Sequence, residues 1–213
     1  MWNCSIIETP KDGSCFFNAI SIALNDPESS WQDNDDLRKL MEKHWNNYAK
    51  ESGETPHGTS PDMIRFMCAS HLDEDSLVMY NAEAEYRKET EKEKDVKIFE
   101  NLEDMKKHVR NTNCWADHSI MRAFLESLEY RCCVVVFDSE VGGITHLPEE
   151  WTKDKDMYIC LRRDFNHYRV VQLIYETEED GRKEMPLCLK REVILKMTEA
   201  VNSFLDNAVT NVF

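Results

Sequence analysis

Residues 12–20 read Asp12-Gly13-Ser14-Cys15-Phe16-Phe17-Asn18-Ala19-Ile20, a turn-forming Asp-Gly that leads directly into a cysteine. The following run, residues 16–24 (FFNAISIAL), is apolar on nearly every face, the pattern of a short buried helix. Cys15 therefore stands where that helix begins. Free N–H groups and the positive end of the helix dipole favour a thiolate there and are expected to lower the pKa of the thiol. The same N–H groups, with those of the preceding loop, can bind the oxyanion of an attacked carbonyl.

A nucleophilic thiol needs a base, and the far end of the chain offers one. The stretches 157–163 (MYICLRR) and 167–175 (HYRVVQLIY) are rich in β-branched and aromatic residues and read as strands. Only Asp164, Phe165 and Asn166 separate them, so an antiparallel hairpin is expected, with His167 where the turn gives way to the second strand. An imidazole held there can take the thiol proton and return it to a leaving amine. A cysteine followed 152 positions later (167 − 15) by a histidine resembles the order in papain-like peptidases.

Between these ends the helical signals dominate. Leu37, Leu40, Met41, Trp45 and Tyr48 recur at helical spacing. Ser60-Pro61 is an N-cap with proline at the first helical position, opening a helix through Ile64 and Met67. Interleaved Glu and Lys in residues 83–97 favour an exposed helix, with a loop as the alternative. Asn101 and Asp117 are placed to cap two further helices, the second carrying Ile120, Ala123, Phe124 and Leu128. Residues 132–138 (CCVVVFD) read as a strand, and Val193, Met197, Val201, Phe204, Leu205 and Ala208 outline a C-terminal helix packed on the domain. Helices first and a sheet afterwards give an α+β domain.

The whole chain, 213 residues with 41% hydrophobic and 31% charged content, fits one substantial domain with a core. A formal charge of −15 repels polyanions, so a nucleic-acid partner is not expected and a basic partner is easier to accommodate. No apolar run approaches a membrane span, and the start has no secretory pattern, so a cytoplasmic protein is expected. The eight cysteines contain no CxxC pair and no Cys-His cluster at zinc spacing, so neither a metal nor a cofactor is expected. Cys132, Cys133, Cys160 and Cys68 read instead as small buried apolar groups.

Three blocks in order resemble the OTU (ovarian tumour) family of deubiquitinases. DGSCFFNAI (12–20) resembles its nucleophile block D-G-x-C-x-[FY]-x-A-[IL]. WADHSIMRAFLESLEYRCCVVVFD (115–138) resembles its central turn, helix and strand, and YICLRRDFNHYRVV (158–171) its closing hairpin. Together they cover roughly residues 5–175. The resemblance implies a papain-like OTU fold, helices packed around a small mixed or antiparallel sheet, in residues 1–180; residues 181–213 lie outside the resemblance and read, from their apolar spacing, as a C-terminal helical extension packed on it. It implies a thiol protease acting on ubiquitin (iso)peptide bonds, with Cys15 as nucleophile, His167 as general base and acid, and the backbone of Asp12 to Cys15 around the oxyanion. Trp115 would lie near the cleft, as a substrate-binding residue with Asn166, or be an ordinary core aromatic.

One position departs from the pattern. Many members of the family carry Asn or Asp two residues after the histidine, to orient the imidazole. Here that position is Arg169, which cannot accept a hydrogen bond. Asp12 is the first candidate for the third member, with Asn166 and Asp164 as alternatives. Two other readings stay open: a non-catalytic ubiquitin-binding OTU module, and a thiol peptidase acting on a ubiquitin-like modifier or a polyprotein. Preference for linkage or modifier is expected to lie in residues 51–60, 83–100 and 139–156.

Overall fold

A computed structural model describes residues 2–55, 58–90, 97–111, 114–139, 143–147, 155–177 and 181–197. Strand β1 (Trp2–Ile7) is followed by helices α1 (Cys15–Leu24), α2 (Asp35–Ser52), α3 (Pro61–His71), α4 (Glu74–Thr90), α5 (Leu102–Asn111) and α6 (His118–Ser127). The remaining strands come after them: β2 (Cys132–Asp138), β3 (Gly143–Leu147), β4 (Met157–Asp164), β5 (His167–Thr177), β6 (Gly181–Glu184) and β7 (Cys188–Leu189). The α+β architecture follows, with one sheet of mixed direction.

Local chemistry explains most helix starts. Asn34 accepts the N–H groups of Asp36 and Leu37, Ser60 accepts that of Met63, and Asp117 accepts that of Ile120. Asn101 accepts the Asp104 N–H at 2.9 Å, as its position suggested. Helix α2 ends at Gly53, whose φ of 75° is the left-handed C-cap that glycine adopts without strain.

The central path of the sheet runs β1-β5-β4-β2-β3, with β6 on β5 and β7 on β4. Among the described residues only β2 and β4 run parallel. Strand β2 is buried along nearly its whole length, which accounts for its unbroken apolar run. Alternation sorts its side chains between two cores. Cys132, Val134 and Val136 join Phe16, Phe17, Phe124, Ile159 and Val170 beneath the helices. Cys133 and Val135 join Tyr158, Cys160, Leu173 and Ile194 on the opposite face. Helix α1, apolar all round, lies between β5 and α3, and each of its fully buried phenylalanines contributes about 2–3 kcal/mol of burial.

Three stretches, holding four strands, differ from the sequence reading. Strand β1 was not expected; it pairs antiparallel with β5 from Trp2↔Tyr175 to Ile7↔Val170. Residues 143–147, within the 139–156 stretch for which no strand was expected, pair with β2. Residues 181–189, expected within a helical extension, instead supply β6 and β7 to the same sheet. Residues 191–197 are helical and place Ile194 in the second core, while the rest of the expected C-terminal helix lies outside the described residues. In the charged stretch 83–97, α4 reaches Thr90, and residues 91–96 lie outside the described residues.

Candidate active site

The loop before α1 is organised from within. The Asp12 carboxylate accepts the Ser14 N–H at 2.8 Å, and the Asp12 carbonyl accepts the Cys15 N–H at a long 3.3 Å. Arg65, only 3% exposed on α3, donates to the Ser14 hydroxyl at 2.7 Å and to the Val109 carbonyl at 3.2 Å. Its guanidinium also lies 4.0 Å from the centre of the Phe17 ring. Ser14 thus occupies the N-cap position of α1 without capping it. In α2, α3 and α6 a side chain covers the first N–H groups, whereas at α1 the hydroxyl in that position faces Arg65. A helix start without a side-chain cap keeps its N–H groups available to a developing oxyanion.

Cys15 is the first residue of α1 and is 5% exposed. Its thiol donates to the Asn166 carbonyl at 3.4 Å, and its sulfur accepts the Tyr168 N–H at 3.4 Å. Both partners flank His167, so the thiol is seated against the backbone that carries the imidazole. The Tyr168 ring packs edge-on to Phe16 at 5.6 Å and fixes β5 against α1. Burial pushes the Cys15 thiol above its ordinary pKa, and Asp12 adds to this; the N–H groups of Tyr168 and Phe16 oppose it without cancelling it. The lowering expected from the helix start is therefore outweighed by desolvation. Burial drives other thiols further, with Cys114, Cys133, Cys160 and Cys188 pushed to about 12. Cys4 is exposed and the other seven cysteines are buried, all of them free thiols.

A row of charges covers the sheet face beside His167. The β1–β5 register ends at Ile7↔Val170, so Glu8 follows opposite Arg169. On the other side β4 brings Arg162 opposite Arg169 and Asp164 opposite His167. Arg169 donates to Glu8 Oε1 at 2.9 Å and is ion-paired with Asp164, whose carboxylate also meets Arg162 Nε at 3.1 Å. The second Glu8 oxygen, Oε2, lies 3.9 Å from His167 Nε2, which is buried without a hydrogen-bond partner among the described residues. The Arg169 hydrogen bond, then its charge, then that of His167, hold the Glu8 carboxyl below its usual pKa.

Of the residues singled out in the sequence, Cys15 and His167 are brought together through the backbone, the thiol meeting the peptide groups on either side of His167. Asp12 serves the nucleophile loop, and Asp164 is taken up by two arginines. Asn166 offers its backbone carbonyl to the thiol, while its side chain faces solvent. Trp115 is 49% exposed, next to the buried Cys114, and is not an ordinary core aromatic. Glu8, Arg65 and Phe165 were not singled out. Phe165 leaves 74% of its surface exposed at φ 54° in the two-residue turn that ends at Asn166. Glycine normally takes such a position, and the three-residue interval 164–166 was the available signal.

No protein-family model and no curated protein matches the sequence. Solved structures do. The chain is similar at 14% identity to an ovarian tumour (OTU) domain in complex with ubiquitin, over 88% of this chain and 79% of that one, with a TM-score of 0.43. It is similar at 14% identity to the viral OTU domain protease of Taggert virus, over 84% and 83%, with a TM-score of 0.37. It is also similar at 12% identity to an OTU deubiquitinase from Wolbachia pipientis wMel bound to ubiquitin, over 79% and 95%, with a TM-score of 0.41. At such identities no residue role transfers.

Proposed function

We propose that this chain is an OTU-type thiol protease that hydrolyses ubiquitin (iso)peptide bonds, with Cys15 as nucleophile and His167 as its base. One observation carries the reading: the Cys15 thiol is held between the Asn166 carbonyl and the Tyr168 N–H, the backbone groups on either side of His167. Ubiquitin as substrate rests on the three sequence blocks that resemble the OTU family.

Because burial favours the neutral thiol, the proton must leave as attack begins. His167 takes it, and the sulfur bonds to the carbonyl carbon of the scissile amide while the carbonyl π pair moves onto oxygen. The N–H groups at the uncapped start of α1 would stabilise that oxyanion. Collapse re-forms the carbonyl and breaks the C–N bond, with the His167 proton going to the leaving lysine amine. Water, deprotonated by His167, then attacks the thioester, releases a carboxylate and returns the thiol.

The test is labelling by a ubiquitin carrying a C-terminal electrophile, followed by peptide mapping. Cys15 is expected to be modified while the seven other cysteines are not, and Cys15→Ala is expected to abolish both labelling and chain hydrolysis. An unlabelled wild-type protein at neutral pH sinks the reading. Parallel probes built on ubiquitin-like modifiers identify the modifier, since a stronger reaction with one of those would replace ubiquitin as the substrate.

A further inference from the structure

We propose that Glu8, bracketed by Arg169, is the positioning residue that orients His167, so that the third member of the site comes from the residue just past a neighbouring strand and not from β5 itself. The inference rests on the thiol-protease reading above. An imidazole that shuttles protons needs one ring nitrogen fixed so that the other points at the thiol. Here the nitrogen to be fixed is Nε2, which is cut off from water and has no hydrogen-bond partner among the described residues. The carboxylate oxygen beside it is Glu8 Oε2, at 3.9 Å.

Glu8 is not free to wander. Its other oxygen is held by Arg169 at 2.9 Å, and Arg169 is itself anchored by Asp164. The carboxylate is therefore clamped at one end and directed at the imidazole with the other. The 3.9 Å separation is longer than a hydrogen bond, and the inference requires it to shorten as the resting site tightens around substrate. Residues 167 and 169 share a face of β5, which places the clamp beside the ring it serves. A cation at 169 cannot itself accept from the ring, but it can hold an anion that does. The competing carboxylates are engaged elsewhere, Asp12 with the Ser14 N–H and Asp164 with Arg162 and Arg169. With Nε2–H directed at Glu8, Nδ1 is left to take the Cys15 proton, and the imidazolium so formed meets a fixed negative charge.

Turnover of a fluorogenic ubiquitin C-terminal amide by the full chain tests this. Losing one charge-assisted hydrogen bond predicts a fall in kcat of roughly 10- to 100-fold for Glu8→Ala at nearly constant KM. Glu8→Gln should fall between Glu8→Ala and wild type. The double variant Glu8→Ala/Arg169→Asn should recover most of the loss, because the new carboxamide oxygen lies on the face of β5 that His167 occupies. An effect of Glu8→Ala confined to KM or thermal stability, or no recovery in the double variant, overturns the inference. A second measurement needs no turnover: 15N shifts of His167 in a Cys15→Ala background. The neutral ring should be held as the Nε2–H tautomer with Glu8 and become a mixture in Glu8→Ala, and identical ring spectra overturn the contact. A wild-type chain inert to the electrophilic probe overturns the protease reading and this inference with it. A reactive wild type whose kcat is unchanged by Glu8→Ala overturns this inference alone.

Discussion

Phe165 concentrates two opposed demands in one side chain. Its φ of 54° is a conformation in which a bulky residue is strained, and its ring is mostly in water, so neither backbone nor core explains the phenylalanine. It stands one residue before the carbonyl that receives the Cys15 thiol, where an extended substrate tail would run. Phe165→Gly should therefore stabilise the fold by about 0.5–1 kcal/mol while raising KM several-fold. Thermal denaturation and steady-state kinetics on the same preparation check both signs, and a stabilised variant with unchanged KM would remove Phe165 from the substrate path. Residues of this kind separate what a sequence shows from what it hides. The place of Cys15 at the start of a buried helix was legible because the Asp-Gly turn before it and the apolar run after it are close in sequence. Glu8 was not. It reads as any surface glutamate, and its meaning depends on Arg169, 161 positions away (169 − 8), through a strand pairing with no local signature.

Among the elements, the same divide appears between capped helices and paired strands. Ser60, Asn101 and Asp117 declared three helices because a cap is a contact between near neighbours in sequence. Strands β1, β3, β6 and β7 are short, and their partners cannot be read from their own residues. Asp117 also carries a measurable cost. It is buried, its Oδ1 accepts the Ile120 N–H at 2.9 Å, and its Oδ2 has no hydrogen-bond partner among the described residues. Burial raises its pKa from 3.8 to about 6. A carboxyl raised on folding binds more protons in the native state, so stability should fall as pH rises between about 4 and about 6 and then level off. Asn caps as well as Asp and carries no charge. Asp117→Asn should therefore flatten that pH window and gain on the order of 1–3 kcal/mol at neutral pH. Denaturant titrations at about pH 4 and about pH 7.5 decide it, and no gain at the higher pH would refute the account.

At the level of the whole molecule, the formal charge of −15 is a field before it is anything else. It should draw in a substrate with basic surface, and that attraction is screened by salt. For ubiquitin conjugates we expect kcat/KM to fall several-fold between about 50 and about 300 mM salt, with kcat nearly constant. A flat salt profile in stopped-flow association would leave the charge to solubility alone.

The place of β1 carries a last implication, one of timing. The nucleophile loop and α1 are encoded within the first two dozen residues. The imidazole, its arginine bracket and the strand that β1 joins are encoded some 150–160 residues later. A growing or truncated chain can thus carry the thiol while lacking the groups proposed to activate it. On the proposed mechanism, the pair is complete only when β5 has joined the sheet.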